Sequence, residues 1–123
     1  MGLVCSQARL LMLCMRRMDL EFMMQCISGR KMAAAAMVGG IASQQSQYFQ
    51  VLSSSTDETT KANANNALKM LEANMTSINA WDTTLEVQMK KIETQHTAVV
   101  AEEESVKKLV ENNTKSFKYF ASA

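Results

Sequence analysis

The sequence predicts an all-α protein: an antiparallel helical hairpin of two long helices with coiled-coil packing, assembling into a helical homo-oligomer. Three observations carry that expectation. From Leu71 every seventh residue is apolar, through Ile78, Leu85, Ile92, Val99 and Val106, with Asn113 as the one break before Phe120. A period of seven held this long keeps one helix in register with a neighbour. Helix formers fill the chain, with no proline and only four glycines in 123 residues. Finally, the first helix is more apolar than one partner helix can use.

The first helix is expected over about residues 3–52. The seven-residue count works here too, at Leu13, Leu20, Ile27, Ala34, Ile41 and Tyr48. These residues, with Leu71, Ile78, Leu85, Ile92, Val99 and Val106, form the expected hairpin seam. A second stripe, Leu11, Met15, Met18, Phe22 and Cys26, follows steps of four, three, four and four. It lies on a different face and is expected to contact other subunits, because a soluble monomer rarely exposes so large an apolar patch. Eight of the 11 methionines fall in the first 37 residues, where their flexible side chains suit contact with several neighbours. The segment Met32–Ala42 is small and apolar, and its Gly39-Gly40 predicts a close helix contact with some local curvature.

A polar run, residues 53–66, separates the helices. Its serines, threonines and asparagines compete for backbone hydrogen bonds, which predicts a turn over about 53–62, with Thr56 or Asp57 as N-cap. The second helix is expected over about 63–120. Phe117 and Phe120 fall on its seam, and Tyr119 on another face. All three are expected to join the Met-rich face as subunit contacts.

Charge excludes some partners. Formal net charge is +1, divided as +3 over residues 1–52 and −2 over 53–123. The halves attract weakly, and neither is basic enough to point to nucleic acid. Glu102, Glu103 and Glu104 precede Lys107 and Lys108, and Glu86 precedes Lys90, at spacings that suit pairs along one helix. No membrane span is expected: the apolar run from Met32 is 11 residues long, and Arg9, Arg16, Arg17, Asp19 and Glu21 interrupt residues 3–27. Membrane contact is therefore not predicted.

No catalytic, cofactor or metal site is expected. Cys5, Cys14 and Cys26 are spaced by nine and twelve residues, unlike zinc or redox motifs. His96 is the only histidine. It belongs with Met75, Asp82, Met89 and Glu103 to a line beside the seam, where Asp82, His96 and Glu103 are expected to fix register. A pH-sensitive contact is the functional alternative for His96. Trp81 reads as a packing anchor. Met1-Gly2-Leu3-Val4-Cys5-Ser6 fits the pattern for N-myristoylation, with Cys5 placed for a second acyl chain. The alternative reading of the chain is a coiled-coil adaptor or binding module whose exposed face receives a different protein or lipid, with that motif as its route to membrane association.

The opening SQARLLML, with Arg16-Arg17 and Asp19-Leu20-Glu21-Phe22, resembles the starts of small uncharacterised helical proteins of bacteria. A proline-free hairpin with apolar helices at both ends resembles in form the subunits of type III secretion needles and translocator filaments, and the terminal coiled-coil domain of flagellin. That resemblance implies export without a cleaved signal, a secretion chaperone as partner, and a place in an extracellular or cell-surface filament. A cytoplasmic location is the next expectation. The secreted hairpins with a Trp-x-Gly turn share the size, but the turn here holds neither residue, and Trp81 lies inside the second helix.

Overall fold

A computed structural model describes the backbone of residues 2–122 and the side chains of residues 2–119. Two helices, α1 (Gly2–Ser54) and α2 (Glu58–Ser122), account for all but the three residues between them, and no strand occurs among the described residues. They pack against each other as a hairpin. Contacts such as Arg17 with Glu103 and Lys31 with Glu86 show that they run antiparallel.

The turn is shorter than its composition suggests. Asp57 caps α2: its Oδ1 accepts from Thr59 N at 3.2 Å and its Oδ2 from Thr60 Oγ1 at 2.9 Å. Two first-turn groups of the kind that otherwise compete with helix are thereby used to start one, and Glu58 adds an acidic side chain at the N-terminal dipole. The polar run thus becomes helical from residue 58, not from about 63. At the other end, Ser53 and Ser54 both donate to Gln50 O, and Ser55 N donates to Val51 O at 2.9 Å. Ser55–Asp57 is all that remains as turn.

The chain divides into two compact units, each containing part of both helices. The first comprises residues 2–26 and 89–122 among those described. Its seam buries Leu20 and Val106, half-buries Leu13, Ile92 and Val99, and begins with a buried serine, Ser6. The second unit, Ile27–Gln88, buries Ile27, Ala34, Ala64, Leu71 and Leu85, and half-buries Ile41 and Ile78. Ala64 continues the seven-residue count one step before Leu71, and its small side chain lets the helices close toward the turn. Each fully buried leucine contributes about 1.5–3 kcal/mol relative to exposure.

Tyr48 departs from the expected seam, being 36% exposed. Two helices enclose too thin a layer to cover a whole tyrosine, whose hydroxyl favours water. Gly39 and Gly40 also differ from expectation. A Cβ built at either would meet nothing within 4 Å, so the close contact expected there is not made among the described residues. The side chain of Phe120 lies outside the described residues.

Candidate assembly interface

In the first unit the outer side of α1 is apolar and uncovered. The seam uses Leu13 and Leu20, which turns Leu11, Met15, Met18 and Phe22 away from α2. Each is more than half exposed, from 58% at Met18 to 66% at Phe22, and Val4 and Met12 extend the surface. Cys26 is exposed with its thiol free. On this outer side, between Val4 and Cys26, Asp19 is the single charged residue. Near the end of α2, Phe117 and Tyr119 are exposed as well, at 64% and 73%. The five residues of the expected α1 stripe thus share one open face, while Trp81, read as a packing anchor, is 38% exposed.

The sides of the helices, by contrast, are tied together by charge. Arg17 Nε donates to Glu103 Oε2 at 2.7 Å and Nη1 donates to Glu21 Oε1 at 3.1 Å; the same Glu21 oxygen lies 3.1 Å from His96 Nε2. Hydrogen bonds to Glu103 and then to Glu21 raise the Arg17 pKa above its ordinary value. The His96 hydrogen bond, followed by that of Arg17, holds the Glu21 carboxyl below its ordinary 4.5. Arg9 pairs with Glu102, and Arg16 Nη2 donates to Gln95 Oε1 at 3.3 Å.

These pairings revise the charge pattern read along single helices. Glu102 and Glu103 reach arginines of α1, and in the second unit Glu86 meets Lys31 at 3.5 Å. Glu103 and His96 do stand at the seam edge and bond across it, whereas Asp82 is half-buried with no hydrogen bond or ion pair among the described residues. The missed signal was the half-buried line Leu3, Leu10, Arg17, Met24, Lys31, which places two cations where they face α2.

The second unit has an uncharged groove of about 380 Å³, lined on α1 by Met37, Gly40, Ile41 and Gln44, and on α2 by Asn74, Ser77 and Ile78. It is open because Gly40 and Ser77 carry little or no side chain. Nearby, Arg30 is exposed and, like Asp19 in the first unit, has no hydrogen bond or ion pair among the described residues.

Gly2 and Ser6, which carry the acylation pattern, have internal partners. Ser6 Oγ donates to Gly2 O and accepts from Asn113 Nδ2, and a Cβ on Gly2 would lie 3.3 Å from that same Nδ2. Among the described residues no group of His, Cys, Asp and Glu is placed to hold a metal, and no helix is long and apolar enough to cross a membrane. No protein-family model, curated protein or solved structure matches this chain.

Proposed function

We propose that this protein is a structural subunit that self-assembles through the outer face of α1 into a filament or other large homo-oligomer. One observation supports the reading most: after the hairpin has used its seam, Leu11, Met15, Met18 and Phe22 remain exposed together. An apolar surface of this kind is favourable to cover and costly to leave in water. The aromatic end of α2, with Phe117 and Tyr119 exposed, supplies a second surface for growth. The resemblance in form to secretion needle and flagellin subunits makes a bacterial secreted or surface filament the specific version of this reading.

Size-exclusion light scattering and negative-stain electron microscopy of the purified full chain test it. Particles larger than a monomer are expected at micromolar concentration, and Met18→Glu or Phe22→Glu should reduce them while helicity is retained. A well-folded monomer at that concentration refutes the reading. The adaptor alternative needs a modified N-terminus or a different partner protein on the exposed face; for the first, Gly2 and Ser6 already have a reason to be small and polar in their packing against Asn113. Intact mass of protein from the native source decides this point.

A further inference from the structure

We infer that the occupant of the Leu11–Phe22 face is a second copy of this chain, its α1 antiparallel to the first with Leu13 level with Leu13. The inference rests on the self-assembly reading and names the partner surface and its register. Everything it uses lies on α1 between Val4 and Cys26, within the first unit. There the outer face is itself a seam. Val4, Leu11 and Met18 recur every seventh residue in one row, and Ala8, Met15 and Phe22 form a second row four residues on, the spacing of a coiled-coil core. All of them are exposed. At about 3.6 residues per turn, both rows stand on the far side of α1 from Ser6, Leu13 and Leu20, so a second helix reaches them without displacing α2.

The face is self-complementary in one register. With Leu13 level with Leu13, Leu11 lies opposite Met15 of the second copy, Ala8 opposite Met18, and Val4 opposite Phe22. In each layer a smaller side chain meets a larger one, and no polar residue enters. Sliding one copy by seven residues either sets Gln25 against Ala8 or leaves Phe22 with no residue opposite it. A two-fold axis at Leu13 makes every contact twice. The exposed parts of Val4, Leu11, Met15, Met18 and Phe22 offer roughly 600 Å² per copy, so a pair can remove roughly 1,200 Å² from water, the lower end of what a specific interface buries.

Charge selects the antiparallel direction. Asp19 flanks the two rows and has no hydrogen bond or ion pair among the described residues. A parallel, in-register pair would hold both copies of Asp19 at one level and stack Phe22 on Phe22. The antiparallel pair separates the two carboxylates by about 18 Å along the axis. It also brings each one beside Cys5 of the other copy, in the first turn of that α1. This turn has no acidic residue of its own, and its unpaired backbone N–H groups favour a carboxylate.

Crosslinking tests the register. At about 1.5 Å per residue, two Met12 positions lie about 3 Å apart along the axis, two Cys5 positions about 24 Å and two Cys26 positions about 39 Å. All three are exposed. In a full chain with its three cysteines replaced by serine, Met12→Cys should give a covalent dimer with a short bismaleimide. Chains keeping only Cys5 or only Cys26 should not. By sedimentation, Met18→Glu should weaken pairing roughly tenfold or more, because the seam then buries a charge without a partner. Adding Ala8→Lys should recover roughly fivefold or more of that loss, since positions 8 and 18 share a layer between copies but lie about 15 Å apart within one. A crosslink in the Cys5-only or Cys26-only chain, or no recovery in the double variant, overturns the antiparallel seat while oligomers still form. A monomeric parent chain overturns self-assembly as well.

Discussion

Asn113 Nδ2 donates a hydrogen bond to Ser6 Oγ at 3.0 Å, joining the polar break in the α2 seam to a polar seam position of α1. Ser6 is 6% exposed, and its own hydroxyl proton goes to Gly2 O. The Ser6 hydroxyl therefore both donates and accepts. A partly buried polar pair in a seam contributes little net stability but penalises any slip that would set Asn113 against an apolar residue. Asn113→Ala should lower stability by about 1 kcal/mol by removing a partner from Ser6. Ser6→Ala with Asn113→Leu should recover that loss or exceed it. Urea unfolding followed by circular dichroism checks both, and equal losses in the single and double variants would remove the pair from the account.

Much of this arrangement was legible one helix at a time. The seven-residue count placed Leu20, Ile27, Leu71, Leu85 and Val106 in the seam, where each is buried. It stopped at Leu13 because the next residue back, Ser6, is polar, and a polar residue is recognised as seam only beside its partner. The pairings across the hairpin were not legible. Which glutamate meets which arginine depends on the turn length; Asp57 was legible as one of two candidate caps and does cap α2, but the polar composition of residues 58–62 hid that the helix starts directly after it. Glu102 and Glu103 could thus be read with Lys107 and Lys108 from spacing alone, although Arg9 and Arg17 hold them.

Glu21 should make the hairpin acid-sensitive. Its carboxyl is held below 4.5 chiefly by the His96 hydrogen bond and then by Arg17. A depressed carboxyl contributes stability that is present above its unfolded value and is lost as pH falls through the folded value, so the loss belongs below about pH 4.5. Glu21→Gln should flatten the stability profile in that acid range. His96→Ala should shrink the acid loss, because it lets the folded Glu21 value rise toward 4.5. Thermal unfolding in steps from pH 6 to pH 3 reads both effects, and a Glu21→Gln profile parallel to the parent below pH 4.5 would exclude this origin.

Gly39 and Gly40 offer a stability gain within the single chain. With nothing within 4 Å of either Cβ position and ordinary helical φ, alanine fits both without rearrangement. Each substitution should stabilise α1 by roughly 0.5–1 kcal/mol. Gly2→Ala should not, because its Cβ would approach Asn113 Nδ2 at 3.3 Å and disturb the Ser6 bond. Denaturation at concentrations low enough to keep the chain monomeric checks the contrast.

Leu20 and Met18 are two residues apart on α1 and belong to different energetic problems. Leu20 is 0% exposed in the seam, whereas Met18 is 58% exposed on the outer face. Leu20→Ala removes buried contacts and leaves a cavity, which costs about 2–5 kcal/mol. Met18→Ala removes little from the isolated hairpin, within about 0.5 kcal/mol of the parent, but deletes part of the surface offered to a second subunit. Unfolding and sedimentation on the same two variants should therefore give opposite rankings: Leu20→Ala the larger loss of stability, Met18→Ala the larger loss of association per unit of stability lost. If Met18→Ala left association unchanged while Leu20→Ala weakened it only in proportion to unfolding, the outer face would have no part in assembly.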